Sequence, residues 1–351
     1  MQLHHRNIGL DLIRSTAIVL VVLTHSQRIL RMAFPGLRFH FPIDGVTLFF
    51  VLSGFLIGRI VFKTLPQGEW KELSSFYKRR WWRTLPNYYL FLALQILAYF
   101  LMGVREQIDW RNLAFLQNLF EPNGSFFKES WSLAVEEWFY LIFPLIWWLW
   151  VRYLPKGQRP SFLAYSLLFL ILAWIYKYHY FSAHLVEDAE VVSRIPVVFR
   201  ISSILWGVVL GAIHLLWPEY FKKPWAWIVL LLFSWIGWKY SGDLIHPYWR
   251  AVWVFDFKSL LSFALIAILF QLKSVNKFIA RGVTNLSLYS YSMYLINLPF
   301  LAILRWALVK MDVQNPILIL VALALGWMGI FKLSELNYTK FEKRLTQLRD
   351  R

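Results

Sequence analysis

Long apolar runs alternate with short polar breaks from one end of the chain to the other, and the runs are similar in length. Ten stand out, at 9–29, 44–62, 84–103, 132–151, 161–181, 195–217, 224–241, 247–270, 284–308 and 315–334. Most hold about 18–24 residues, enough at about 1.5 Å per residue for a helix to cross the hydrocarbon core of a bilayer. The pattern predicts an all-α, polytopic membrane protein of about ten transmembrane helices. The run at 247–270 is the weakest of the ten, because Arg250, Asp256 and Lys258 interrupt it. The first run is broken by Arg14 and is followed by no small-x-small cleavage site, so it is expected to stay as a span rather than leave as a signal peptide. No internal repeat or low-complexity linker appears. The expected organisation is a transmembrane domain over 1–335 and a basic tail over 336–351, ending "KFEKRLTQLRDR", with no soluble domain at either end.

Composition agrees with this. Of 351 residues, 58% are apolar and 19% aromatic, above the roughly 45–50% apolar share of soluble domains. Mean hydropathy is +0.49. There is no cysteine, which excludes disulfides, thiolate chemistry and Cys-ligated metal, and no metal site is expected. The net charge of +17 suggests nucleic acid only until it is mapped. With the N-terminus in the cytoplasm and an even number of spans, both termini are cytoplasmic and the basic excess falls almost wholly in inner loops, as the positive-inside rule requires. Membrane lipids are then the partner of that charge, and no nucleic acid is expected. The longest outer loop, 104–131, contains the amphipathic stretch "DWRNLAFLQNLFEPNGSFF", suited to lying on the membrane surface or capping a cavity. The inner loop 63–83 is the most basic.

Four clusters carry candidate chemistry. In "LDLIRSTAIVLVVLTHSQ", Arg14 and His25 are eleven residues apart, close to three helical turns, so they share a face about 16 Å apart along the axis. In "YKRRWWRTLPNYY", Arg80 and Arg83 lie one turn apart and suit bidentate phosphate binding, although a cationic anchor with an aromatic belt explains the same residues. In "SWSLAVEEWFYLIFPLIWWLW", Glu136 and Glu137 enter an apolar run, where an acid costs about 2.5–3.5 kcal/mol on insertion scales. Glu136 lies at a depth similar to His25, so the two are expected to meet, the carboxylate orienting the imidazole. Glu137 is rotated by about 100° from it. In "DGVTLFFVLSGFLIGR", Gly45, Gly54, Gly58 and Ser53 are small positions fit for close helix packing, and Asp44 caps the outer end. Arginines below and an imidazole with carboxylates above suit a protein that takes an anionic donor from the cytosol and uses it on an outer acceptor.

At these residues the chain resembles the acyltransferase-3 family of multi-pass membrane acyltransferases. "LDLIRSTAIVLVVLTH" is similar to the family's first span with its Arg-x10-His spacing, "GVTLFFVLSGFLIG" to its second, "YKRRWWRTLPNYY" to its Arg-x-x-Arg, and "SWSLAVEEWFYLIFP" to its Trp-Ser-Leu-x-x-Glu segment. "FRISSILWGVVLGAI" resembles a later segment whose arginine is Arg200. "SYSMYLINLPF" resembles a stretch where the family often has His but this chain has Asn297, an amide that hydrogen-bonds without taking a proton. The resemblance implies a bacterial plasma-membrane enzyme that moves an acyl group, commonly acetyl, from acyl-CoA to an envelope carbohydrate or lipid-linked sugar. Acetyl-CoA is then a donor substrate and no cofactor is tightly bound. Some relatives carry an extracellular hydrolase-like domain; this chain is expected to be of the stand-alone type. His25 and Glu136 are the expected catalytic pair, with His25 acting as general base or as a nucleophile that forms an acyl-imidazole. Arg14, Arg80 and Arg83 are expected to bind acyl-CoA, and Asp44, Ser53, Ser132, Glu137, Arg200 and Asn297 to support the site. The rival reading is a transporter or flippase of a glycan intermediate, since embedded ionisable residues also mark substrate pathways. No matching pair of Gly/Pro-broken spans favours it.

Overall fold

The computed structural model describes residues 6–39, 41–65, 67–121, 126–155, 161–184, 189–240 and 247–348. Among them there is no strand. The helices in chain order are α1 (Ile8–Ala33), α2 (Gly45–Thr64), α3 (Trp70–Leu101), α4 (Ser130–Tyr153), α5 (Phe162–Ala183), α6 (Ala189–Arg194), α7 (Val197–Leu216), α8 (Pro218–Phe221), α9 (Pro224–Tyr240), α10 (Pro247–Leu269), α11 (Lys277–Lys310), α12 (Pro316–Asn337) and α13 (Lys343–Leu348). Nine stretches among the described residues are at least 18 residues long and apolar enough to cross a membrane: α1 to α5, α7, Val252–Leu269 of α10, α11, and α12 with its continuation. The run expected at 224–241 is helix α9, whose 17 residues sit at the lower end of the range that spans a bilayer. The chain is thus an all-α, multi-pass membrane protein.

Hydropathy places helix ends poorly where the helix outlasts its apolar part. The basic stretch at 63–83 is mostly helix, because α3 starts at Trp70. A capping box starts it: the Glu69 carboxylate accepts from the third helical amide, and Glu72 accepts from the Glu69 amide. Arg79, Arg80 and Arg83 therefore ride on a rigid helix. Likewise α11 starts at Lys277, where the Asn276 side chain accepts from Phe278 N, and runs for 34 residues, about 50 Å.

Asp256, one of the polar residues that weaken the run at 247–270, has partners inside the bundle. Asp256 accepts from Lys177 Nζ at 2.7 Å, from Trp206 Nε1 at 2.9 Å and from Trp174 Nε1 at 3.2 Å, and Lys177 also donates to Ser202 Oγ at 2.7 Å. A buried ion pair persists when its remaining hydrogen-bonding groups are satisfied in this way.

Small residues set the tightest helix pair. A Cβ built on Gly54 of α2 overlaps the Ile204 carbonyl oxygen of α7, and one built on Gly207 of α7 overlaps the Val51 carbonyl oxygen of α2. The two backbones touch because neither carries a side chain there, the small-xxx-small logic of membrane helices. The neighbouring helix α1 is pinned to α11 by Ser15 Oγ to Val283 O at 2.7 Å and Ser287 Oγ to Asp11 Oδ1 at 2.7 Å.

The described part of the loop at 104–131 folds onto the bundle. Tyr88 Oη donates to Asn112 O at 2.8 Å, Trp138 Nε1 to Phe115 O at 3.0 Å, and Asn118 Nδ2 to Ile195 O at 2.8 Å. Its residues 122–125 lie outside the described residues. After α12 a π-helical turn, Tyr338–Glu342, returns the chain to the bundle. There Glu342 accepts from Ser292 Oγ at 2.9 Å, and Asn337 Nδ2 donates to Asn87 Oδ1 at 2.9 Å.

Gly207→Val forces α2 and α7 apart. It is expected to cost at least about 1–3 kcal/mol and to lower the midpoint of a detergent thermal-aggregation assay, whereas Gly282→Ala on α11, where an added Cβ meets nothing within 4 Å, does not lower it, since alanine is the better helix former.

Candidate active site

Five helices enclose a cavity of about 310 Å³. α1 contributes Arg14, α2 Ser53, α3 Arg80 and Arg83, α4 Ser132 and Glu136, and α11 Tyr291 and Tyr294. Two further cavities adjoin it. One, of about 520 Å³, shares Ile57, Ile60, Arg80 and Arg83 and adds Lys71, Arg79, Glu69 and Glu72. The other, of about 390 Å³, shares Arg14 and Arg83 and is completed by the chain after α12. All three meet at the arginines singled out in the sequence.

Local sequence explains the placement. Arg80 and Arg83 sit at i and i+3 on α3, so both face the cavity. Arg80 lies with its guanidinium 3.8 Å from the centre of the Tyr140 ring, and its Nη2 donates to Tyr140 Oη. Glu136 precedes Tyr140 by one helical turn, and its Oε2 lies 3.7 Å from Arg80 Nη2. Glu136 Oε1 accepts from Ser53 Oγ at 2.8 Å. Glu137, turned away on the same helix, accepts from Thr84 Oγ1 at 2.8 Å. The two neighbouring acids thus survive in an apolar run by taking different partners. Arg14 forms no hydrogen bond or ion pair with the described residues; Arg83 and Arg80 stand close enough to repel it, and Asp11, one turn earlier on α1, attracts it.

The expected meeting of Glu136 with His25 does not occur. Asn297 takes that place: its Oδ1 lies 2.5 Å from His25 Nδ1. The Asn297 amide is held by Nδ2 donating to Met293 O at 2.8 Å and to Tyr294 O at 2.7 Å. Both donors are thereby directed at carbonyls, so Oδ1 faces the ring and His25 Nδ1 must be the donor. In the neutral imidazole the proton therefore sits on Nδ1, and Nε2 keeps its lone pair. An amide fixes the tautomer here as a carboxylate does elsewhere.

His25 does not line the cavity. The lining reaches Ser132 and Tyr294, joined by a 2.5 Å hydrogen bond, and ends about one turn of α11 short of Asn297. Tyr294 Oη also donates to Glu129 O at 3.2 Å. Glu129, just ahead of α4, is buried, and desolvation pushes its carboxyl up to about 8, so it is neutral at pH 7. Asp44 and Arg200 serve a different joint. Asp44 caps α2, accepting from Thr47 N at 2.8 Å and Thr47 Oγ1 at 2.8 Å. Arg200 Nη2 donates to Thr47 Oγ1 at 2.7 Å, with its guanidinium 3.9 Å from the Phe255 ring centre. Tyr140, Thr84, Tyr291 and Tyr294 were not singled out in the sequence. The i+4 spacing of Tyr140 from Glu136 is the one signal that pointed to it.

A helical membrane bundle holding an arginine-walled cavity, with an oriented histidine beyond its far end, is the class of protein these features define. The chain belongs to the acyltransferase-3 family: the family described as Acyltransferase domain matches residues 7–331. It is similar to O-acetyltransferase OatA of Staphylococcus aureus (strain NCTC 8325 / PS 47), 28% identical over 237 residues, covering 61% of this chain and 35% of that protein. It is also similar to putative O-acetyltransferase SACOL0978 of Staphylococcus aureus (strain COL), 26% identical over 234 residues, again 61% of this chain and 35% of that protein. The chain therefore spans about a third of the length of these relatives. No solved structure matches.

Arg14→Gln removes a cation that Arg83 and Arg80 repel. The expected result is a ligand-free protein whose unfolding midpoint rises by about 2 °C, in line with about 1 kcal/mol in a chain of this size; a falling midpoint shows that Arg14 has a structural partner.

Proposed function

We propose that the protein is a membrane O-acyltransferase that moves an acyl group, acetyl first among candidates, from cytosolic acyl-CoA to a hydroxyl of an envelope carbohydrate or lipid-linked sugar. The observation that carries this reading is the cavity wall: Arg14, Arg80 and Arg83 face one space whose lining includes a single acid, Glu136, among the described residues. Guanidiniums bind phosphate in a bidentate fashion, and coenzyme A supplies phosphates at one end and the thioester at the other. The adjoining larger cavity with Lys71 and Arg79 gives the nucleotide end a wide, basic mouth. In this reading that mouth faces the cytosol of a bacterial plasma membrane, with both termini on the same side.

The acyl arm then runs along α1 from Arg14 towards His25, about 16 Å along the helix axis. To complete the path the Ser132–Tyr294 hydrogen bond parts as the arm enters. His25 Nε2, the free nitrogen, takes the proton of the acceptor hydroxyl as its oxygen attacks the thioester carbonyl. The carbon–sulfur bond breaks, and the thiolate recovers that proton from the imidazolium. In the stepwise variant Nε2 attacks first and the carbon–sulfur bond breaks, giving an Nδ1-protonated acyl-imidazolium and a thiolate; the acceptor hydroxyl then attacks the acyl carbon, the carbon–nitrogen bond breaks, and the hydroxyl proton goes to the thiolate. Asn297 is a positioning residue in both. Glu136 and Ser53 hold Arg80 against Tyr140 and so shape the donor site. The similarity to proteins named O-acetyltransferases supports acetyl as the group moved.

Purified protein given acetyl-CoA and an envelope extract is expected to release free thiol; a transporter releases none. His25→Ala is expected to slow release by about 10²–10⁴-fold, and thiol release at the wild-type rate in that variant removes His25 from the mechanism. Asn297→Ala is expected to lower kcat by about 10²-fold with the acetyl-CoA affinity unchanged. A matching loss of affinity would show that Asn297 shapes the donor site instead.

A further inference from the structure

Past His25, at the opposite end of α1 from Arg14, lies a second group of cations. Arg28 and Arg31 of α1 and Arg305 of α11 surround, with Met32, an open hollow of about 410 Å³. All three arginines are exposed. Arg28 is one helical turn beyond His25 on the same side of α1, and Arg28 and Arg194 both act electrostatically on His25. Arg31 has a local explanation: it lies in the last turn of α1, where a cation suits the helix dipole, and its Nε donates to Leu37 O at 3.1 Å. Arg28 and Arg305 have none. Neither forms a hydrogen bond or ion pair with the described residues, and no acid among the described residues lines the hollow.

Two constraints make this cluster informative. Like charges gathered without a counter-ion repel each other. Lysine and arginine are also depleted at the outer ends of membrane spans, which is the end these residues occupy if Arg14 faces the cytosol. A cluster that opposes both tendencies beside His25, whose ring Asn297 orients, suits an anionic ligand placed next to that histidine. We propose that the hollow binds a phosphate or carboxylate carried by the acyl acceptor, so that the acceptor is an acidic carbohydrate whose hydroxyl is held beside His25 Nε2. The inference rests on the acyl-transfer reading and narrows its acceptor. A bilayer headgroup offers the same phosphate, and the test separates the two sources.

The full chain is reconstituted in phosphatidylcholine nanodiscs, and dissociation constants are measured for glucose 6-phosphate, glucuronate and glucose. The charged sugars are expected to bind at least tenfold more tightly than glucose. The double variant Arg28→Gln/Arg305→Gln is expected to lose that preference while its acetyl-CoA affinity stays within twofold, which also reports an intact fold. If the double variant fails to fold, the single variants Arg28→Gln and Arg305→Gln serve in its place: a weakened preference in either with intact acetyl-CoA binding supports the proposal, and an unchanged preference in both overturns it. Equal binding of charged and neutral sugars overturns it. So does native mass spectrometry in which wild-type protein retains anionic phospholipid, the variant loses it, and neither discriminates among the sugars. Charged-sugar preference without acetyl-CoA consumption would instead leave the anion site standing and sink the acyl-transfer reading.

Discussion

Charge inside an apolar bundle has to be matched, and most of it here is. Lys177 and Asp256 neutralise each other at 2.7 Å with two tryptophans closing the pair. Arg6 and Asp11 do the same near the start of α1, and the adjacent acids Glu136 and Glu137 take hydroxyls from two different helices. Arg14 departs from the rule. It shares a cavity with Arg80, which Glu136 and Tyr140 hold, and with Arg83, and it forms no hydrogen bond or ion pair with the described residues. A cation so placed is costly unless water or an anion reaches it. The donor site, the direction of the acyl arm and the division of labour along α1 all follow from that imbalance.

The scaffold keeps these charges where they are. The glycine contacts between α2 and α7 hold Ser53 against α4, so Glu136 is fixed between Ser53 and Arg80. The length of α3 carries Arg80 and Arg83 on the same rigid rod as Thr84, the partner of Glu137. At the far end, α11 brings Asn297 to His25, and two backbone carbonyls lock the amide so that the ring has one tautomer. Glu136, Arg80 and His25 are thus each oriented by a residue on a different helix, which is how a site in a bundle obtains precision that loops do not offer.

How much of this was legible in the sequence depends on the range of the interaction. The helices and their apolar cores were legible, because hydropathy over about twenty residues is a local property. Their ends were not: α3 starts at Trp70 rather than near 84, since a capping box and good helix formers extend a helix into polar sequence. The convergence of Arg14, Arg80 and Arg83 was legible from i, i+3 spacing and charge. The partner of His25 was not. Depth alone favoured Glu136, and depth does not fix rotation, so the structure gives His25 to Asn297, 272 residues away. The departure from the family's histidine at that position marked it as a site of interest, while the tautomer it imposes needed the carbonyls of Met293 and Tyr294. The acids at 136 and 137 were recognised as unusual, but their separate hydroxyl partners depend on helix packing that no local pattern encodes.

The most direct test is a cryo-electron microscopy map of the full chain with saturating coenzyme A. The expected result is phosphate density against Arg14, Arg80 and Arg83, with the pantetheine arm pointing along α1 past Ser132 and Tyr294 towards His25. Density confined to the hollow at Arg28 and Arg305, or an arginine cavity that stays empty at saturation, would contradict the account.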